Sequence, residues 1–288
     1  MVPVSPLLPM SDSLHHWNLI RRPFEAAWDA RFFHRSDQHL EALDRLMYVV
    51  LEGGMNFGLL TGEIGCGKTL VRAVLQHQLA ASDFRFITVE NGGFSVEEMA
   101  PTILSRLAPA DSMMPSGRLA QMDRIQGLLN DQADAGRQVV VLLDEAQDMG
   151  AETLNGLRWI TNFNGGGRNL VSMVLIGQPN LRSLVESVPA LEQRIGLRYH
   201  LRPLATASET AAYLAHRLHV AGHPNGELFS PEAVSCLHQL SRGVPRSLNR
   251  LAKLTLEYGW LAEAEQLTAD HVHSVSGDLR RHQFEPTL

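Results

Sequence analysis

Cysteine is almost absent from this 288-residue chain, with Cys66 and Cys236 the two present. Two thiols without close spacing exclude a disulfide framework and point to a reducing compartment. Lysine is equally scarce: Lys68 and Lys253 stand against a cation set that is otherwise arginine. Excess positive charge is missing too. The formal net charge of −6 argues against a strongly basic nucleic-acid binder, although it leaves room for a local patch. No apolar run approaches the roughly 18 residues that cross a membrane. The opening MVPVSPLLPMSDS has no basic n-region and no sustained apolar core, which excludes a signal peptide. These absences together imply a cytoplasmic protein. A hydrophobic content of 44% is ordinary for a globular chain, and the length suits one large domain or two small ones.

Against this background one stretch stands out, LLTGEIGCGKTL from Leu59 to Leu70. An apolar run from Phe57 to Leu60 has strand character, and a helical pattern follows from Leu70 to Leu79. Between them lie Gly62, Gly65, Gly67, Lys68 and Thr69 in the spacing G-x-x-x-x-G-K-[ST]. Strand, glycine-rich loop and helix together make a phosphate site. Glycines let backbone N–H groups close around phosphate oxygens, and the helix N-terminus adds partial positive charge. Lys68 reaches the β- and γ-phosphates of a nucleotide, and the Thr69 hydroxyl ligates Mg²⁺. Glu63, Ile64, Cys66 and Leu70 complete the loop around the phosphates. Cys66 is either a small space-filler or a redox-sensitive thiol.

The rest of the chain alternates. Residues 1–21, with prolines at 3, 6 and 9, read as a flexible arm, with His15, His16 and Trp17 a possible metal or docking feature of it. Pro23, Phe24, Phe32 and Phe33 anchor an extended segment on the domain that follows. Ser36 caps a helix that carries Leu40, Leu43, Met47 and Val50 at helical spacing and ends at Gly53-Gly54. FRFITVE, Phe84 to Glu90, is a strand, and Ser95 with Glu98 forms a capping box. A helix from about Leu119 to Ala135 leads to VVVLLDEAQDM, Val139 to Met149, which reads as a fully buried parallel strand. A helix over about 151–163, the loop NGGGRN, a strand over 171–176, a helix over 180–186 and a strand over 197–201 follow. This alternation predicts a parallel α/β sheet. Beyond Thr206 the pattern is helical only, with starts at Ser208, Ser230-Pro231-Glu232, Pro245 and Thr268. A boundary near Leu204 therefore divides a sheet domain, 22–204, from a helical domain, 205–280, with a tail over 281–288.

The acids fit the phosphate loop. Asp144 ends a buried strand, where ligands bind in open α/β sheets, and is placed to hold the Mg²⁺ shell. Glu145 polarises an attacking water as general base. Gln178 ends a neighbouring strand; it either orients water against the γ-phosphate or caps its own Gly-Gln-Pro turn. Arg194 is a candidate arginine finger, with Arg198 as its competitor. Arg246 starts a helix, where the dipole disfavours a cation and a phosphate offsets the cost.

GEIGCGKT, LLDEAQDM, VLIGQPNL, LEQRIGLRYHLRPL and GVPRSLNRL, in this order, resemble the AAA+ ATPases of the ExeA/GspA type. The leading segment PFEAAWDARFFHRSDQHLEALDRL is similar to theirs, and the likeness covers about Arg22 to Val275. It implies a P-loop AAA+ three-layer αβα domain followed by a helical lid, hydrolysing ATP with Mg²⁺. It carries the Walker A role onto Lys68 and Thr69, Walker B onto Asp144 and Glu145, sensor 1 onto Gln178, the arginine finger onto Arg194 and sensor 2 onto Arg246. Two positions depart from the pattern. Trp28-Asp29-Ala30 stands where the family reads Pro-Asp-Pro, and Leu70 replaces a second threonine whose hydroxyl meets the α-phosphate. Secretion members also continue into a membrane helix and a wall-binding domain, which these residues do not include. Two processes are implied. The first is a homo-oligomeric ATPase with a protein partner in a secretion, pilus or exopolysaccharide system. The second is a transposition helper that assembles on DNA, which expects Arg158, Arg168 and Arg280-Arg281 to gather on one face.

Overall fold

The computed structural model describes residues 11–25, 29–52, 57–79, 83–90, 93, 95–109, 112–165 and 168–282. They form two compact units, one of residues 37–201 and one that joins residues up to 36 to those from 202 onward. The described chain begins with a short helix, α1 (Ser11–His16), which belongs to the second unit.

The first unit opens with α2 (Asp37–Leu51), whose buried His39, Leu43, Leu46 and Val50 recur at helical spacing. β1 (Phe57–Gly62) leads through the phosphate loop to α3 (Lys68–Gln78). Next come β2 (Phe84–Val89), α4 (Met99–Leu107), α5 (Arg118–Asp134) and β3 (Gln138–Leu143). After them come α6 (Ala151–Gly156), the short strands β4 (Asn164–Gly165) and β5 (Arg168–Asn169), and β6 (Val171–Gly177). α7 (Asn180–Glu186), α8 (Pro189–Glu192) and β7 (Ile195–Leu201) close the unit. The sheet order is β2-β3-β6-β1-β7, and every pairing is parallel.

Largely apolar runs explain why β1, β3 and β6 lie inside; the buried hydroxyls of Ser172 and Thr61 are hydrogen-bonded, to Gln138 Nε2 at 2.8 Å and His200 Nδ1 at 2.9 Å. Successive side chains of a strand face opposite ways, so a strand covered on both sides must be apolar on both or hydrogen-bond its polar groups. On one face Phe57 and Leu59 join Met99, Ile103, Ile125 and Leu154 in one core. On the other, a Cβ added at Gly58 would lie 3.4 Å from Val49 of α2. Helices thus cover both faces, giving the three-layer αβα sandwich that the alternation predicts. Ser95 and Glu98 exchange backbone N–H bonds as the capping box requires.

Three local expectations change. The helix over 151–163 stops at Gly156 and continues as a 3-10 turn, Leu157–Asn162. Gly156 has low helix propensity, and its Cα packs so tightly that a Cβ would lie 2.7 Å from Val96. The two ends of the NGGGRN loop pair with each other as the antiparallel strands β4 and β5. The stop at Gly53-Gly54 lies outside the described residues.

The second unit contains α9 (Ala207–Val220), α10 (Pro231–Ser241), α11 (Pro245–Leu261) and α12 (Ala269–His282). The cap of α9 is Thr206, whose hydroxyl accepts from Glu209 N at 3.1 Å, and Ser208 falls within the first turn. Thr206 wins because Glu209 lies three residues on and its carboxylate accepts from Ala205 N at 3.0 Å. No helix among the described residues is long and apolar enough to cross a membrane.

Residues 11–36 overturn two readings. Within the expected arm, Trp17 is 3% exposed, and its indole N–H donates to Leu256 O at 3.1 Å. His16 bonds Ala264 O at 2.9 Å, and no three metal-binding side chains group together among the described residues. The segment from Arg22, assigned above to the sheet domain, packs instead with the helices. Arg217 of α9 is buried, donates to Pro23 O and to Glu25 O at 2.9 Å, and lies over the Phe32 ring at 4.7 Å. Lys253 adds an ion pair to Glu25 at 2.9 Å. A buried guanidinium needs several acceptors, and the backbone carbonyls of this segment supply them.

Asp29 caps the 3-10 turn Ala30–Phe32, accepting from Arg31 N at 3.0 Å and pairing with its guanidinium at 2.6 Å. The Arg31 partner holds the Asp29 carboxyl well below the ordinary carboxylate range, at about 2. A depressed carboxylate pKa contributes stability above its unfolded value and loses it as pH falls through the folded one. Asp29→Asn is therefore expected to melt slightly lower than the parent at neutral pH, with the difference closing between about 4 and 2. Thermal melts across that range check it, and a difference that persists at pH 2 refutes it.

Candidate functional site

The parallel sheet puts the C-terminal ends of β1, β6 and β3 side by side. Thr61 of β1 pairs with Gly177 of β6, and Leu143 of β3 pairs with Leu175. The phosphate loop, Gln178 and the Asp144–Glu145 pair therefore meet at one edge, with β6 between the two motifs.

Close approach forces the glycines of the loop. A Cβ at Gly62 would lie 2.6 Å from Leu201 O, and Gly67 has a φ of 100° that a side chain resists. His39 of α2 backs the loop, its Nε2 3.1 Å from Cys66 O. Burial pushes the Cys66 thiol upward, away from the reactive thiolate, so this cysteine fills space. Glu63 and Ile64 are exposed, while Thr69 and Leu70 are half-buried in the first turn of α3. Lys68 is buried and donates to Gly62 O at 2.7 Å and Glu63 O at 3.1 Å. Burial lowers its pKa, and the charges of Glu145 and Asp144 work against that shift.

Asp144 is 5% exposed, and its Oδ1 accepts from Glu145 N at 3.0 Å. Burial raises its carboxyl pKa; the main opposing influence is Arg72 of α3, whose Nε lies 3.5 Å from Oδ2. Arg72 also pairs with Glu90 at 3.1 Å. Sequence reading missed Arg72, though its place one turn after Lys68 puts both cations on the same helix face. Glu145 sits in the left-handed region, φ 51° and ψ 38°, a costly conformation that collects at functional sites.

Gln147 was missed as well. Its Nε2 donates to Glu145 Oε2 at 2.8 Å, and its Oε1 accepts from Gln178 N at 3.0 Å. Gln178 O accepts from Leu181 N at 3.0 Å, so the backbone of the Gly-Gln-Pro turn is tied into α7.

The arginines are placed elsewhere. Arg194 precedes β7 and donates to Arg158 O at 3.2 Å. Ile195 pairs with Phe57, at the opposite end of β1 from the loop. At roughly 3.3 Å per residue Arg194 lies about 20 Å from its own Gly62, beyond the reach of a side chain. Arg198 pairs with Glu192 at 3.3 Å. Arg158 and Arg168 belong to the sheet unit, Arg280 and Arg281 to the helical one, where Arg281 pairs with Asp278. Arg246 is exposed in the first turn of α11, in the helical unit.

This architecture defines a P-loop nucleoside-triphosphatase with its acids one strand removed from the phosphate loop. The AAA domain family matches residues 51–185, which include the loop, the acids and Gln178. General secretion pathway protein A of Aeromonas hydrophila is 35% identical over 243 residues, which are 83% of this chain and 43% of that protein. The ORC2 protein of Aeropyrum pernix superposes with a TM-score of 0.69 at 17% identity, over 90% of this chain and 71% of that one. The RuvB Holliday junction branch migration motor of Thermotoga maritima gives 0.57 at 17% identity, over 87% and 74%. The chain belongs to the AAA+ ATPases of the ExeA/GspA type. It spans less than half the length of the secretion protein it matches.

Proposed function

We propose that the chain binds ATP with Mg²⁺, assembles into a ring or filament, and couples hydrolysis to a protein partner of a secretion, pilus or exopolysaccharide system. The carrying observation is the meeting of the Lys68 loop and the Asp144–Glu145 pair across β6. The site suits the ligands. The loop turns into α3 at Gly67, whose φ of 100° leaves the first backbone N–H groups of the helix facing a phosphate, and a hydroxyl with a carboxylate offers Mg²⁺ the oxygen donors it prefers. Thr69 and Asp144 would hold Mg²⁺, which neutralises charge on the phosphates when bound. Lys68 takes the β- and γ-phosphates, and Glu145 accepts a proton from the attacking water. Gln178 stands at the sensor 1 position and Arg246 at sensor 2. The helical unit carrying Arg246 serves as the lid.

Arg194 cannot serve its own loop, which supports a role toward a neighbouring copy and hence assembly. Light scattering of Glu145→Gln with ATP is expected to show self-association. Arg194→Ala is expected to lower turnover while nucleotide affinity stays near parental. A monomer with full turnover overturns the assembly. The secretion process rests on the identity to General secretion pathway protein A. DNA retention assays with ATP at two salt concentrations test it. Weak retention in both supports the protein partner, and tight ATP-dependent retention on DNA replaces it with the transposition-helper reading.

A further inference from the structure

Gln147 joins the turns that leave two neighbouring strands of the sheet, β3 and β6. Its carboxamide makes complementary bonds, because the Gln178 N–H requires an acceptor and the Glu145 carboxylate requires a donor. Only one orientation of the amide satisfies both. The turn after β6 is shaped to admit it. A Cβ at Gly177 would lie 2.5 Å from Gln147 Oε1 and 2.8 Å from Leu181 Cδ2. The glycine before Gln178 therefore leaves room for Gln147 to bridge. At the other end of the bridge Glu145 is held in left-handed backbone, with its N–H bound to Asp144 Oδ1. Backbone and carboxylate of Glu145 are thus fixed from two sides.

We infer that Gln147 is a positioning residue, holding the Glu145 carboxylate in place and linking it to the Gln178 turn. The inference rests on Glu145 acting as the base in the proposed function. Through this bridge a shift of the Gln178 turn moves the Glu145 carboxylate without any direct contact between the two side chains. A brace that only joined β3 to β6 would need no donor toward Glu145.

Two variants separate these roles. Gln147→Ala is expected to lower kcat roughly ten- to hundred-fold, the range for losing a hydrogen bond to a charged group, while ATP affinity and melting temperature hold. Gln147→Glu keeps the shape and the acceptor for Gln178 N–H but sets a carboxylate against a carboxylate, and it is expected to lose turnover as well. Single-turnover hydrolysis in a Glu145→Gln background is expected to show no further loss from Gln147→Ala, because both changes act on one group. A lowered melting temperature with parental kcat overturns the inference, as does a loss that multiplies in the double variant. The two readings fail differently. Parental turnover in Glu145→Gln removes the base and Gln147's role with it. An inactive Glu145→Gln beside fully active Gln147 variants removes the Gln147 role alone.

Discussion

Glu145→Gln is expected to bind ATP at parental affinity and to hydrolyse it about 10²- to 10⁴-fold more slowly, the span that a positioned general base contributes. The substitution changes little else. A glutamine fills the same volume, and its side-chain oxygen still accepts from Gln147 Nε2, the partner at 2.8 Å. The bond from residue 145 N to Asp144 Oδ1 is a backbone bond and survives. The left-handed conformation strains both residues alike. Binding in the proposed function rests on Lys68 and the loop glycines; the change keeps the Lys68 bonds to Gly62 O and Glu63 O and removes only the favourable charge of Glu145. Nucleotide titration and steady-state hydrolysis measured on one preparation decide the matter. Hydrolysis at the parental rate would place the base elsewhere. A joint loss of affinity and turnover would mean that Glu145 shapes the site and does not take the proton.

Trp17→Ala is expected to destabilise the helical unit by about 3–5 kcal/mol, the cost of deleting a buried large aromatic. The indole is buried, and a Cβ at Gly259 would lie 3.1 Å from its Cζ2, so it rests directly on the α11 backbone. Its N–H bond to Leu256 O disappears with it, leaving that carbonyl with one bond fewer. Alanine leaves a void among Phe24, Leu256 and Leu267, members of the same core. Urea unfolding gives the cost directly. A loss below about 1 kcal/mol is what a surface position shows, and it would restore the reading of residues 11–20 as an arm.

What could be read from the sequence followed from how local each signal is. The phosphate loop is a contiguous string, recognisable by its residue spacing alone. β3 announces itself through five apolar residues followed by Asp144 and Glu145. Neither needs knowledge of a neighbour. Trp17 does: Leu14, Trp17 and Leu19 have no period, and the carbonyl that the buried indole meets lies 239 residues away in α11. Arg72 and Gln147 were hidden for a related reason. Arg72 looks like a surface cation until β2 and β3 bring Glu90 and Asp144 to it, and Gln147 looks like a surface amide until β3 and β6 are set side by side. The α9 cap was decidable locally, since Glu209 favours Thr206 over Ser208, but two hydroxyls so close compete for the same role.

The division of the chain also sets an order of synthesis. Residues 37–201 form a continuous unit, complete once β7 has left the ribosome. The helical unit is discontinuous, with one segment made before the sheet unit and its helices α9 to α12 after it. Trp17 packs in a slot built from Leu256, Gly259 and Leu267, which does not exist until residue 267 emerges. Trp17, Leu19 and Phe24 therefore wait, apolar and uncovered, while more than 200 residues are translated. At about 5–20 residues per second that interval lasts tens of seconds at the slow end. The nascent chain carries an aggregation hazard in this segment for that time, although the finished protein buries all three side chains.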